Sequence, residues 1–245
     1  MTDNECLKLE KIYNFLEENQ SYNRIFQQRE YYSIYSYQNT KRKKVISLLY
    51  NILNSQSQPK INNTSNFFKC IYENIDKLDT FETFVKFLNK NTENANYENL
   101  YIGLKSCKGW GDKTSALFTK VVFNVHNGSY DNSLQIWDDT PKNIINDKLY
   151  LPVDRVIINI FNYLKFKKNS FLSINKKLNK CSTDKSIAIW DDLWFWGFIT
   201  QKGSGSNRVL EWNLDKYWSL EHSDKSHEMI NEIETKARCF IKLLK

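Results

Sequence analysis

Apolar residues recur at helical spacing along almost the whole chain, and very little interrupts them: 245 residues hold seven glycines and three prolines. Glycine and proline punctuate turns and break regular elements, so their scarcity favours long helices over short strands and tight turns. Leu9, Ile12, Tyr13 and Leu16 line one face. Val45, Leu48, Leu49, Ile52 and Leu53 line a second, just after the basic cluster Lys41, Arg42, Lys43 and Lys44. Phe67, Phe68, Ile71 and Ile75 make a third stripe, and Asp79 with Glu82 reads as a capping box ahead of Phe84, Val85 and Leu88. Val156, Ile157, Ile160, Phe161 and Leu164 follow Pro152, and "IAIWDDLWFWGFI" is apolar nearly all round, which predicts one buried helix. Met229, Ile230, Ile233, Ala237, Phe240, Ile241 and Leu244 close the chain on an amphipathic helix. Residues 127–150 and 200–224 are polar and read as irregular. The expected fold class is all-α, in a single domain over residues 1–245 that is long enough to bury a core without staples.

Charge and cysteine usage narrow the function classes. The 35 basic side chains exceed the 28 acidic ones, for a formal charge of +7. That excess permits a polyanionic partner without demanding one. The five cysteines, Cys6, Cys70, Cys107, Cys181 and Cys239, are scattered and odd in number. This argues against a disulfide framework and against a cysteine-rich metal site, and fits reduced thiols in the cytoplasm. No stretch of eighteen apolar residues occurs, so no membrane span is expected. His126, His222 and His227 stand apart from acidic motifs, so no metal is expected, and no nucleotide-binding fingerprint or nucleophile elbow is present. "KGSGSNR" at 202–208 lacks the glycine spacing of a phosphate loop, and Lys202 and Arg208 are minor candidates for phosphate contact.

"KGWGDKTSA" carries the strongest local signal. A short helix ends near Cys107, a turn holds Gly109 and Gly111, and a second helix opens with Asp112, Lys113 and Thr114. Backbone N–H groups at such a helix start, together with its positive dipole end, suit a phosphate. The motif reads either as an ordinary corner between helices or as a hairpin that grips DNA without reading its sequence. Further on, "LPVDRVIINIF" sets Asp154 directly before an apolar helix, where alone it reads as an N-cap. "YNILNSQSQPKIN" ends an apolar helix in a polar loop with Gln56 and, nearby, Gln58.

Taken together, these three segments resemble the helix-hairpin-helix superfamily of base-excision DNA glycosylases over residues 45–165. There a G-x-G-x-K hairpin precedes a V-D helix start, and an early loop glutamine probes the opened base pair. The resemblance implies two helical subdomains flanking a DNA-binding cleft, with the helix-hairpin-helix at about 98–126 and a C-terminal helical part at about 166–245. It implies Lys113 and Asp154 as catalytic residues, and Gly109, Gly111, Lys108, Thr114, Gln56 and Arg42 as DNA contacts. The four-cysteine cluster of the endonuclease III branch is absent after Asp154, and the connection from Lys113 to Asp154 is long. Both features look more like the 8-oxoguanine branches.

A base inside a duplex is out of reach, so such an enzyme flips the nucleotide into a pocket. Trp194, Trp196 and Phe198 are candidates for its stacking wall, with core packing as the competing role. A lysine at position 113 would attack C1′ of the deoxyribose, giving a Schiff base and strand cleavage by β-elimination. The expected function is therefore a DNA glycosylase with AP-lyase activity on an oxidised base, 8-oxoguanine by preference. It would act as a cytoplasmic or nucleoid-associated monomer on damaged double-stranded DNA, with no cofactor. The alternatives are a non-catalytic DNA-binding hairpin protein and a glycosylase for another lesion.

Overall fold

The computed structural model describes residues 3–56, 58–142, 147–181, 187–205 and 207–245. Ser57 in the glutamine loop, residues 143–146 of the polar stretch 127–150, and Ser206 of "KGSGSNR" lie outside the described residues. The chain is predominantly helical and forms two compact units, one of Met1–Arg29 with Val153–Lys245 and one of Glu30–Pro152. No described helix is long and apolar enough to cross a membrane.

The unit Glu30–Pro152 takes the end of α2 (Gln20–Tyr35) and then α3 (Lys41–Asn54), α4 (Ile61–Glu73), α5 (Phe81–Leu88), α6 (Tyr97–Ser106) and α7 (Asp112–Asn127). Its core is built on Phe84, which meets Phe118 with ring centroids at 6.1 Å and Trp137 at 5.6 Å. Trp137 lies in the stretch expected to be irregular and polar, yet it is buried with Leu134 and Ile136, and its indole N–H donates to Leu78 O at 2.8 Å. The same stretch caps two helices from a distance. Asp139 accepts from the N–H groups of Phe81 and Glu82 at the start of α5, at 2.9 and 3.0 Å. Asp147 accepts from those of Tyr97 and Glu98 at the start of α6, at 2.7 and 2.9 Å. Carboxylates at helix N-termini satisfy orphan donors and complement the dipole. The expected Asp79–Glu82 capping box is not formed: Thr80 is the N-cap of α5, accepting from Thr83 N at 3.1 Å, and Asp79 is engaged elsewhere.

The other unit takes α1 (Asp3–Glu18), the start of α2, and α8 (Arg155–Tyr163), α9 (Phe171–Cys181), α10 (Ile187–Trp190), α11 (Asp192–Ile199), α12 (Leu214–Ser219) and α13 (His227–Leu244). Between α11 and α12 lies an antiparallel hairpin of β1 (Gln201–Ser204) and β2 (Asn207–Leu210), within the stretch read as irregular. The expected single helix over "IAIWDDLWFWGFI" is two, broken at Asp191, whose carboxylate accepts from Gln27 Nε2 on α2 at 2.6 Å. Trp196 sits at the centre of this core, 5.1 Å from Phe15 and 5.7 Å from Tyr22 by ring centroids. Gly197 brings α11 hard against α8: a Cβ there would lie 2.6 Å from Ile160 and 2.7 Å from Val156.

Cys6 on α1 and Cys181 on α9 are joined by a disulfide, which corrects the expectation of five reduced thiols. Their separation of 175 residues hides the pairing from any spacing argument, because it depends on α1 and α9 packing together. The cytoplasmic expectation loses the support it drew from free thiols. Cys70 and Cys239 are free and exposed, and Cys107 is free and half-buried.

Candidate functional site

The hairpin segment consists of α6, a turn over 107–111, and α7. Trp110 answers why an aromatic sits between two glycines. It is buried, 5.4 Å from Phe67 and 5.9 Å from Phe118 by ring centroids, so it anchors the turn in the core while the glycines take the surface. Gly109 has φ +95°, a conformation that penalises any side chain. Gly111 differs: its φ is −123° and a Cβ would meet nothing within 4 Å. Nothing within the unit requires a glycine there, and the space above it is open. Gly111 is the N-cap of α7, and its N–H donates to Thr114 Oγ1 at 2.9 Å, which buries and orients Thr114.

Around this turn the charges divide into engaged and free. Asp112 Oδ1 receives the Lys105 ammonium at 2.6 Å and the Tyr101 hydroxyl at 2.5 Å. Burial works against the Asp112 carboxylate, but those two donors outweigh it and hold its pKa below the ordinary value. Lys108 and Lys113 are exposed and form no ion pair with a described residue. Gln56, at the end of α3, donates from Nε2 to Gly109 O at 3.2 Å, so the expected probing glutamine and the hairpin turn share one surface. Gln58 is exposed.

Arg42, expected on phosphate, is instead held by Asp79: its Nε and Nη2 reach the two carboxylate oxygens at 2.6 and 2.5 Å. A bidentate guanidinium–carboxylate pair fills the fork that a phosphate would use. Its neighbours are similarly occupied. Lys41 pairs with Asp138, and Lys44 donates to the carbonyls of Ser133 and Gln135 at 2.5 and 2.8 Å. Burial lowers the Lys44 pKa. Only Lys43 of the cluster is exposed without a pairing among the described residues.

Asp154 belongs to the other unit. It is the N-cap of α8, accepting from Ile157 N at 3.1 Å through Oδ1. Its second oxygen accepts from the Trp194 indole N–H at 3.1 Å. The Gly197 contact that seats α11 on α8 places Trp194, one turn earlier on α11, beside that N-cap. Trp194 and Phe198 stack with centroids 5.0 Å apart and planes at 12°, and both are half-buried. Trp196 is 0 % exposed and belongs to the core, so it offers no surface to a base. Of the three aromatic candidates, Trp194 and Phe198 share one half-buried face and Trp196 points away from it.

Two further groups join that face. Lys216 on α12 sets Nζ 5.0 Å from the Phe198 ring centroid. Arg208 on β2 is close enough to oppose its charge. Lys216 carries no signal in sequence, since "NLDKYWS" is an unremarkable helix start whose lysine becomes half-buried, with Nζ out of solvent, only through the packing of α12 on α11.

Comparison with known proteins finds no matching family model, no matching curated protein and no matching solved structure, so a functional reading of this chain stands on the residues described above.

Proposed function

We propose that this protein is a DNA glycosylase with AP-lyase activity that removes an oxidised base, 8-oxoguanine by preference. The observation that supports it most is the surface of the hairpin turn. Gly111 is open where no internal contact requires a glycine, Lys113 and Lys108 stand exposed beside it, and Gln56 is tied to the same turn through Gly109 O. Backbone N–H groups at a helix start, open ground and unpaired ammonium groups together fit a phosphodiester strand.

In this reading Lys113, as the neutral amine, attacks C1′ of the flipped nucleotide. The glycosidic bond breaks, and the base leaves with its electron pair and takes up a proton, while the nitrogen, now bonded to C1′, loses one. The C1′–O4′ bond then opens, O4′ taking up a proton as a hydroxyl, and the nitrogen lone pair closes the C=N bond of an open-chain iminium. Loss of a C2′ proton then expels the 3′ phosphate. Asp154, carried by the other unit, has through the family resemblance alone the role of supplying negative charge toward a sugar cation. Its carboxylate is fixed in rotamer by Ile157 N–H and Trp194 N–H, which is the pre-organisation such a role needs. Trp194 and Phe198 supply apolar surface for the extruded base.

A second reading, a non-catalytic grip on DNA, is favoured by the exposure of Lys113, since burial among apolar groups is what ordinarily makes a lysine amine available. Borohydride reduction with an 8-oxoguanine duplex separates the two. The glycosylase–lyase reading expects free base plus a covalent protein–DNA adduct at Lys113; the grip reading expects binding with neither.

A further inference from the structure

The face shared by Asp154, Trp194 and Phe198 holds one cationic atom, Lys216 Nζ over the Phe198 ring, with nowhere to go, and a second cation, Arg208, acts on it from β2. Lys216 Nζ and Arg208 Nη1 are both removed from solvent, and neither has a hydrogen-bond partner among the described residues. An ammonium in that position is poorly solvated and lacks the acceptors that buried charges require. The helix that carries it is pinned. Asn213 caps α12 by accepting from Lys216 N at 3.1 Å, its own N–H donates to Ile199 O at 2.8 Å, and its side chain donates to Gln201 O at 3.3 Å. Those bonds fix the start of α12 on the end of α11, with Nζ over the Phe198 ring. β2 is fixed likewise, the Tyr163 hydroxyl of α8 donating to Arg208 O at 2.8 Å.

The charged groups that act on Lys216 come from two elements. Burial lowers its pKa most, the Arg208 guanidinium lowers it further, and Asp154 alone works the other way. A desolvated lysine beside a second cation is a standard arrangement for holding an amine in its neutral, nucleophilic form. A carboxylate at hand to carry protons, itself oriented by two N–H donors, completes the set.

We propose that Lys216 is an amine nucleophile whose Nζ forms an imine with the aldehyde carbon of an open-chain sugar, with Asp154 relaying the proton and Arg208 holding an oxygen of the same ligand. The amine lone pair adds to the carbonyl carbon, and one N–H proton passes to the oxygen to give a carbinolamine. The second N–H proton leaves with that oxygen as water, and the C=N bond forms. No oxidant or reductant is needed. The aldehyde can belong to a free sugar phosphate or to the ring-opened deoxyribose of an abasic DNA strand, and the DNA version rests on the function proposed above.

The full chain is treated at neutral pH with 2-deoxyribose 5-phosphate and cyanoborohydride, which reduces the iminium to a stable secondary amine, and the modified lysines are mapped by mass spectrometry. A parallel sample receives an abasic-site duplex and borohydride. Lys216 is expected to be labelled at least tenfold faster than the exposed Lys202 and Lys60. Asp154→Asn is expected to slow labelling of Lys216 about tenfold and leave that of Lys202 and Lys60 unchanged. Labelling of Lys216 no faster than Lys202 and Lys60 in the wild-type protein overturns the proposal without recourse to any variant. An abasic-duplex adduct at Lys216 supports the DNA version, and an adduct solely at Lys113 overturns that version. Sugar labelling of Lys216 with no adduct to abasic DNA at any lysine overturns the proposed lyase and supports the amine site.

Discussion

The Trp194 indole N–H points at one oxygen of Asp154, 3.1 Å away, while the other oxygen of the same carboxylate caps α8 through Ile157 N–H. One side chain thus meets two donors, and this sets what a substitution costs. Asp154→Ala loses both and is expected to destabilise the protein by about 2–3 kcal/mol, from a lost cap and a lost charge-assisted bond. Asp154→Asn keeps one acceptor oxygen and turns an NH2 toward the second donor, so about 1–2 kcal/mol is expected. Adding Trp194→Phe to Asp154→Asn removes the now unmatched donor and should cost less than the sum of the singles. Urea denaturation of the four proteins measures this, and strict additivity would mean that the Trp194 bond does not hold Asp154.

The two glycines of the turn separate structure from recognition. Gly109→Ala places a Cβ on a residue at φ +95° and should destabilise by about 1–2 kcal/mol. Gly111→Ala meets no atom within 4 Å and has an ordinary φ, so stability should hold within about 0.5 kcal/mol. If a DNA strand lies against that open ground, duplex affinity should still fall several-fold. Equal affinity for wild type and Gly111→Ala would remove the turn from the DNA surface.

Which cations stand free of carboxylate partners is only half legible in the sequence. The basic cluster 41–44 stands out in sequence, but Asp79 and Asp138 hold its first two members, 37 and 97 residues away. Helices were readable because apolar spacing is a local property, and Asp154 as a helix start was readable for the same reason. The pairing of Cys6 with Cys181, the distant caps Asp139 and Asp147, and the withdrawal of Lys216 Nζ from solvent arise from packing between segments, which periodicity does not encode. The β1–β2 hairpin is not legible in the sequence because "KGSGSNR" carries no alternation of apolar and polar residues.

Salt dependence of binding distinguishes the free cations from the engaged ones. Each lysine that neutralises a phosphate adds about one unit to the slope of log affinity against log salt. Lys108→Ala should reduce the slope by about one, whereas Arg42→Ala should leave it unchanged, because Asp79 already takes the Nε and Nη2 donors of that guanidinium and offsets its charge. A slope that falls with Arg42→Ala would mean that the pair opens on DNA.

His126 predicts how stability responds to acid. Burial pushes its pKa down from 6.5 to about 4, and in its neutral form the ring Nε2 accepts from Ile136 N at 3.1 Å. A histidine with a depressed folded pKa takes up its proton first in the unfolded chain. Its stabilising contribution is therefore complete above the unfolded value and is lost as pH falls from about 6.5 toward 4. The loss is at most about 3 kcal/mol, less what solvent removes from a half-buried ring. The depressed carboxylates, Asp79 and Asp112 among them, act in a separate window below their ordinary 3.8. Thermal melts from pH 7 to 4 should show the decline, and His126→Gln should flatten it.

Lys113 decides between enzyme and grip. It is the second residue of α7, exposed and engaged by no described partner, so Lys113→Gln should melt within about 1 °C of wild type. As a phosphate contact it contributes to affinity, and a loss of a few-fold with a slope reduced by about one unit is expected from either role. As the nucleophile it does more: release of 8-oxoguanine from duplex DNA should fall by at least a thousandfold, because the bond from its amine to C1′ is what displaces the base. Asp154→Asn should reduce the same rate by at least a hundredfold, on the scale of losing a group that stabilises a developing charge. Base release is the quantity to follow, since it precedes any aldehyde on which Lys216 could act. A Lys113→Gln protein that frees the base at the wild-type rate would overturn Lys113 as the nucleophile and leave the hairpin as a grip.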